Sequence, residues 1–546
     1  MRASGEGICV VQARPVVVAH PRIAPAGAKP ASSSGSLSQV LFSGGDARLD
    51  LDPATGVSRY GCRPYPDTDL AAFGSSTAST VSERAYAAAE ALWERFALAP
   101  EPLRARLAQV EMARLRLELI QLCGLSDLQG LDVLFAPSGT DLHLIVADLF
   151  TDRLFGEAVA ILPDPAETGS GVPAALTGRH FGAATPTGTA VEAGARVQGL
   201  APLETISVAL RGACGAARPA AAIDAEIEYL AKRMLDQGRQ VLLVMVDGSK
   251  TGMIAPTPAC AERLKAIAPD RVQVLVDACQ FRIAPQTLRA YLDRGFLVAV
   301  TGSKFLTGPT FAGALLVPPA ASGALARRGI CEGLADYCAV MDWPADWAGS
   351  RMLRTDFNLG LMMRWEAALA ELRAFQALPN GEVKRLFERF GRLAAERLAE
   401  EPALEALPTA DLGVRLGQGD AWDSTPTILP FLLRHVRADA EDGVKVGELF
   451  NRDETQRVYA ALRRPLSPRD GCPLTAEQRA LPVELGQPVA LGVRDGTPIS
   501  ALRLCMSARL TVDALSGGET AMIRRAMDAL AKTAEIAWRV SNGAPL

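Results

Sequence analysis

No apolar run in the chain approaches the ~18 residues needed to cross a bilayer, so no membrane-spanning helix is expected. The N-terminus lacks a charged segment followed by an apolar one, and no targeting segment is read there. Ten cysteines are scattered without a Cys-x-x-Cys pair. Cys123, Cys260, Cys279 and Cys505 lie within or beside apolar runs and read as buried thiols of a reducing compartment, which argues against a disulfide frame. No long basic block exists either: 57 Lys and Arg stand against 61 Asp and Glu, a formal charge of −4, and nothing calls for nucleic acid. No metal-ligand cluster is singled out. What is present, 546 residues at 49% hydrophobic content, exceeds one typical core at ~100–200 residues per domain. The expectation is a cytoplasmic enzyme of at least two domains.

The most informative stretch is Val272 to Val317, VQVLVDACQFRIAPQTLRAYLDRGFLVAVTGSKFLTGPTFAGALLV. It reads as an apolar strand ending in Asp277, a helix from about Gln286 to Arg294, a second strand from Phe296 to Thr301, then Lys304 and a Gly-Pro turn into a third strand. In open α/β sheets ligands bind outside the carboxyl ends of strands, which places Asp277 and Lys304 on one crevice. An amine that can hold an aldehyde as an imine, and a carboxylate that can keep a ring nitrogen protonated, are the two groups pyridoxal 5'-phosphate requires.

Asp277-Ala278-Cys279-Gln280, Thr301-Gly302-Ser303-Lys304 and Gly308-Pro309 carry a resemblance. On these residues the chain resembles the fold-type-I pyridoxal-phosphate enzymes, most closely the class V aminotransferase group that includes cysteine desulfurases and kynureninases. The resemblance implies a three-layer α/β/α large domain with a mostly parallel seven-stranded sheet and a smaller α+β C-terminal domain. It implies Lys304 as the imine-forming lysine, Asp277 beneath the ring nitrogen, Gln280 on the phenolic oxygen, and Thr301 and Ser303 on the phosphate. It also implies a homodimer, with the segment around Thr355 and Asn358 reaching the neighbour's phosphate.

The rest of the chain is read in order. Residues 1–39 include a tract rich in Pro, Ala, Gly and Ser and are read as a flexible arm, and 40–125 as a wrapping segment followed by helices. The helices run from Glu83, capped by Ser82, to Leu98, and from Leu103 to Cys123 with Leu103, Leu107, Val110, Leu117 and Ile120 at helical spacing. The large domain is placed at 126–355. In it a strand from Asp132 to Phe135 delivers Ser138-Gly139-Thr140 to the start of a helix, presenting free N–H groups and a hydroxyl to an anion. This matches the phosphate cup of the resembled enzymes, although Asp141 stands where relatives often have a second Thr. A side chain stacking on the cofactor ring is expected from His180 or Phe181. Ser249 falls where relatives place an asparagine near the phenolic oxygen, and the adjacent Lys250 is the one serious competitor of Lys304 for the imine.

An interdomain helix is expected within 356–378 and a small domain at 379–546, built from a helix Val383 to Glu400, a strand Thr427 to Leu433, an amphipathic stretch Val446 to Arg463 and a strand Leu502 to Ser507. Arg503, flanked by apolar residues, falls where class V members clamp the substrate carboxylate, with Arg509 as the alternative. Among reaction types an aminotransferase ranks first and a carbon–sulfur or carbon–carbon lyase of the kynureninase kind second. A desulfurase needs a cysteine shortly before the arginine, and Leu481 to Pro498 contains none, with Cys472 further upstream. Two other classes stay open. Gly169-x-Gly171-x-x-Ala174 superficially fits a dinucleotide fingerprint and would suit an NAD-dependent dehydrogenase. A catalytically inactive binding module on the same fold is the other.

Overall fold

The computed structural model describes residues 36–151, 157–417, 419–439 and 443–546. Most of the expected N-terminal arm lies outside these residues. Its last part does not: Leu37–Leu41 is a helix behind Ser36, with Leu37, Val40 and Leu41 buried, because three apolar residues there find a surface to cover.

Strand β1 (Ala71–Phe73) belongs to a second sheet. Strands β2 (Asp132–Ala136), β3 (Ala158–Pro163), β4 (Glu204–Val208), β5 (Gln240–Asp247), β6 (Ile254–Ala255), β7 (Val272–Ala278), β8 (Leu297–Thr301) and β9 (Gly313–Val317) form the larger one. Its order is β2-β9-β8-β7-β5-β3-β4, with the two-residue β6 paired to β5. Strand β9 runs antiparallel to both neighbours, whereas β8, β7, β5, β3 and β4 are mutually parallel, so the seven-stranded path is mostly parallel.

The strands read as continuous apolar runs because both sheet faces are covered. Val241, Leu243 and Met245 of β5 join one core, while Leu242 and Val244 join the other. Strand β8 divides in the same way, Val298 and Val300 against Leu297 and Ala299. Side chains alternate across a strand, so two separate cores on one sheet mean three layers. The helix Gly139–Phe150 covers one face; Ala220–Asp236, Pro258–Ile267, Pro285–Asp293 and Leu359–Gln376 cover the other.

The second sheet comprises β10 (Leu404–Ala406), β11 (Ile428–Asp439), β12 (Gly443–Leu449), β13 (Val483–Arg494) and β14 (Thr497–Cys505), in the order β1-β13-β14-β11-β10 with β12 on β11. Strand β1 lies parallel to β13, so a segment far upstream in sequence closes the edge of a C-terminal sheet. The helix Asn380–Glu400 buries Val383, Leu386, Phe387, Phe390, Ala394 and Leu398, as its periodicity predicts.

Two readings are corrected. The stretch Val446 to Arg463 is the end of β12 followed by a separate helix, Arg452–Ala461, because Asn451 and Glu454 form a reciprocal cap that starts the helix there. The helix Glu101–Leu122 buries Ala108, Met112, Leu115 and Leu119, while Leu103, Val110 and Leu117 face outward. Packing against the Leu359–Gln376 helix decides which face turns inward, and it outweighs the stripe of Leu103, Val110 and Leu117.

The Leu359–Gln376 helix also fixes the N-terminal segment. Asn358 caps it, accepting from the Leu361 N–H at 3.0 Å and donating to the Gly44 carbonyl at 2.8 Å. Thr355 bridges Ala339. Both residues expected to reach a neighbour's phosphate are therefore engaged within their own chain. The fully buried Arg364 donates to the carbonyls of Leu41, Ser43, Gly44 and Phe311. Replacing it removes the donors of four carbonyls at once. Arg364→Met is expected to cost on the order of 3 kcal/mol, read as a lowered urea midpoint with faster tryptic cleavage after Arg48 and Arg59; an unchanged midpoint would refute the clamp.

Candidate active site

Both faces of the larger sheet are apolar, so its polar groups collect where the parallel strands end. The carboxyl ends of β2, β5, β7 and β8 open into a cavity of about 420 Å³. The N-terminal segment contributes Arg48, Tyr60, Ser76 and Thr77 to its wall, and the second sheet contributes Gln487 and Arg503.

One end of the cavity is the start of the Gly139–Phe150 helix. Ser138 is extended (φ −141°, ψ 168°) and accepts from the Asp141 N–H at 3.3 Å, which makes it the N-cap. The N–H groups of the first turn have no intrahelical acceptor and face outward from the positive end of the dipole. Gly139 is required by proximity: a Cβ there would lie 2.7 Å from Cys279 Sγ. Arg48 reaches the same place, donating to Ser138 Oγ at 3.2 Å and Thr140 Oγ1 at 3.4 Å, with its guanidinium 4.6 Å from the Phe311 ring centroid. Burial opposes the Arg48 charge, but the Asp46 carboxylate at 2.6 Å outweighs it and holds the guanidinium above its ordinary pKa. Asp141 is buried beneath this cup with Oδ1 lacking a hydrogen-bond partner. Burial and the nearby Asp46 push its carboxyl up to about 7, against the pull of Arg48.

Lys304 follows the end of β8 by three residues; its carbonyl accepts from the Thr307 N–H at 2.9 Å, and its side chain makes no hydrogen bond or ion pair among the described residues. Thr301 donates to the Cys279 carbonyl at 2.7 Å, joining the ends of β7 and β8. Phe281, Thr307 and Phe311 all have positive φ, at 54°, 60° and 75°. Strained backbone concentrated in the loops around Asp277 and Lys304 is characteristic of positions held by function. Asp277 accepts from the Cys279 N–H at 3.2 Å and lies 3.6 Å from His143 Nε2, itself buried and without a hydrogen-bond partner. His143 Nδ1 is 2.7 Å from the Gly139 carbonyl. Gln280 donates to the Ser76 carbonyl at 3.0 Å. Ser249 donates to Glu167 Oε2 at 2.7 Å. Burial would raise the Glu167 carboxyl, but Arg211 at 2.6 Å, with Ser249 and Thr251, holds it below its ordinary range.

Arg503 enters from β14, buried to 2% exposure. It donates to the Lys250 carbonyl at 3.0 Å, Thr77 Oγ1 at 3.1 Å and the Gln487 carbonyl, and its Nε has no partner. Gly486 leaves it room, since a Cβ there would sit 2.7 Å from Arg503 Nε. The alternative, Arg509, donates to the Thr80 carbonyl and does not line the cavity. Lys250 Nζ donates to the carbonyls of Pro165 and Ala166. Burial, with Arg503 and Lys304 beside it, lowers the Lys250 amine to about 8.

The structure thus gathers Ser138, Gly139, Thr140, Ser249, Asp277, Gln280, Thr301, Ser303, Lys304 and Arg503 around one cavity. His180 is not among its walls: its Nδ1 lies 2.6 Å from Tyr337 Oη and its ring stacks on Tyr337. Tyr337, remote in sequence, captures the histidine, which the spacing alone does not reveal. Gly169 and Gly171 belong to a loop of eight residues between β3 and that five-residue helix, so the direct strand-to-helix turn of a dinucleotide fingerprint is missing. The cysteine-free stretch Leu481 to Pro498 is mostly β13, and Cys472 lies outside the cavity. Sequence reasoning missed Arg48, Tyr60, His143 and Glu167. For His143 a signal existed, one helical turn after Gly139 on the helix that opens at the cup; the first two lie in a segment without periodicity.

No protein-family model matches the sequence, and no curated protein does. Solved structures resemble the chain. A NifS-like protein is 12% identical, covering 84% of this chain and 98% of its own at a TM-score of 0.47. The cysteine desulfurase CsdA of Escherichia coli is 14% identical, covering 84% and 95% at 0.45. The cystine C-S lyase C-DES, solved with its product cysteine persulfide, is 14% identical, covering 84% and 98% at 0.47.

The depressed Lys250 amine makes a measurable difference. Labelling of Lys250 by an acylating reagent, followed by mass spectrometry across pH, is expected to rise with a midpoint near 8, because the neutral amine reacts. A midpoint in the ordinary range of a free lysine, ~10.4, would contradict this environment.

Proposed function

We propose that this chain is a pyridoxal 5'-phosphate-dependent enzyme acting on an amino acid, with Lys304 as the amine that holds the cofactor. One observation carries the reading: an unpartnered lysine, a buried carboxylate and a helix start furnished with an extra arginine converge on one cavity of about 420 Å³. The residues present fit the group. The cup at Ser138, Gly139 and Thr140, with Arg48 added, suits a phosphate. The fit extends to Asp277, placed at the end of β7 where a ring nitrogen's proton needs a counter-charge, and to Ser249 and Gln280, which offer hydrogen-bonding groups to a phenolic oxygen.

When bound, the cofactor would supply an electron sink for a carbanion at the substrate Cα. The chain's own groups do the rest. Arg503, with its Nε uncommitted, holds the substrate carboxylate and so fixes which Cα bond faces the reacting centre. Lys304 gives and takes the proton at Cα. Arg503 and Lys304 project from different sheets, so substrate is held between them.

Among reaction types we place transamination first, with carbon–sulfur or carbon–carbon cleavage as the second reading. Persulfide-forming desulfuration fits least well, since Cys279 is the one cysteine lining the cavity and burial, with Asp277 beside it, raises its thiol well above the ordinary value.

Protein incubated with the cofactor should turn yellow, and amino-acid addition should shift its visible band. Lys304→Ala should lose the original band, and Asp277→Asn should keep colour while turnover falls on the order of 100-fold. A wild type that remains colourless with the cofactor contradicts the reading. Product formation that depends on an added 2-oxo acid marks transamination; product without one marks a lyase.

A further inference from the structure

The proposed function leaves part of the cavity's charge unexplained. Its walls carry six cationic side chains, Arg48, Arg59, Lys250, Lys304, Arg452 and Arg503, against two carboxylates, Glu167 and Asp277. Arg48 is offset by Asp46, and Glu167 already serves Arg211. A phosphate at the cup and one substrate carboxylate at Arg503 account for two more attractions. Lys250, Arg59 and Arg452 remain.

Lys250 and Arg452 are placed against like charge or dipole, although Glu167 and Asp164 partly offset the field at Lys250, and Arg59 is an exposed cation at the same cavity. Lys250 sits beside Arg503 and Lys304 with only carbonyl oxygens at its amine. Arg452 is the first residue of the Arg452–Ala461 helix, where the dipole disfavours a cation, and makes no side-chain hydrogen bond or ion pair among the described residues. Arg59 comes from the N-terminal segment and is likewise unpaired there. Cations gathered at a cavity with low-dielectric walls focus a positive potential on its contents.

Resting on the pyridoxal-phosphate reading, we propose that the substrate is an α-amino acid whose side chain ends in an anion, held at the cavity mouth by Arg59, Arg452 and Lys250. The shared chemistry is a second negative group; a carboxylate, a sulfonate or a phosphate would each supply it. Specificity then comes from attraction: Arg59 and Arg452 are exposed and Lys250 is half-buried, so a neutral side chain forgoes their field without stranding a buried charge.

The test is a spectral titration of the cofactor-loaded protein with L-aspartate beside L-asparagine, L-glutamate beside L-glutamine, and L-cysteate and O-phospho-L-serine both beside L-serine. At least one anionic amino acid is expected to bind more tightly than its neutral counterpart by on the order of tenfold or more, with a preference that weakens as salt is added. Which anion wins identifies the terminal group. In R59Q/R452Q the ratio of the two affinities is expected to fall towards one; the ratio controls for folding, because unfolded protein binds neither. Equal or tighter binding of the neutral compounds in the wild type overturns this inference while leaving the proposed function intact, as does a ratio unmoved by the double substitution. A protein whose visible spectrum responds to no amino acid overturns the proposed function itself.

Discussion

The structure depends on a constraint that the larger sheet imposes: both its faces are apolar, so charge can be accommodated only where the strands end. Parallel strands all end on the same edge, which makes that edge a collecting place for ionisable groups. Asp247, Asp277, Thr301 and Lys304 are there because no layer of the sandwich would take them. Asp247 is neutralised outright. Arg415 pairs with it in full burial, Tyr291 donates to it at 2.7 Å, and Arg415 is steadied further by Asp423. Asp277 and Lys304 are left with few partners, and that contrast within one sheet edge separates scaffold from site.

Closing such an edge requires chain from elsewhere, and here it comes from both termini. The segment before β1 crosses the Leu359–Gln376 helix under the Arg364 clamp and brings Arg48, Arg59 and Tyr60 to the cavity. The β13–β14 hairpin brings Gln487 and Arg503. Buried arginines carry both attachments by donating to backbone carbonyls: Arg364 to the N-terminal segment, and Arg282 to Thr427 and Met506, which flank β11 and β14 of the second sheet. A guanidinium has five donors in a fixed fork, so one side chain can satisfy several carbonyls from unrelated segments. These arginines make the cavity wall a continuous object although its parts are hundreds of residues apart.

The parts of the site that were legible in the sequence are those defined by strand ends. Asp277 ends one apolar strand and Lys304 follows another by three residues, and Ser138-Gly139-Thr140 stands between a strand and a helix; local pattern suffices there. Arg503 was legible through the resemblance, at the position where class V members clamp the substrate carboxylate; its apolar neighbours alone would equally suit a surface strand, since side chains alternate. What escaped was set by contacts made across the chain. The position of Arg48 depends on the Arg364 clamp, and nothing near Arg48 signals it. His180 was misplaced because Tyr337, remote in sequence, holds it away. In the Glu101–Leu122 helix, periodicity identified a helix but not its inward face, which packing against the Leu359–Gln376 helix decided. One amphipathic stretch was read across Asn451 because apolar spacing persists across the end of β12, while the cap that divides strand from helix is a two-residue signal.

The central claim is that the amine at position 304 is the one that binds the cofactor, with Lys250 beside it serving another purpose. Reduction of the cofactor-loaded protein with borohydride fixes the cofactor permanently to whichever amine holds it, and peptide mass mapping then locates the added pyridoxyl group. The account predicts the group on the peptide containing Lys304 and none on Lys250. Its appearance on Lys250, or on no lysine at all, would contradict the account.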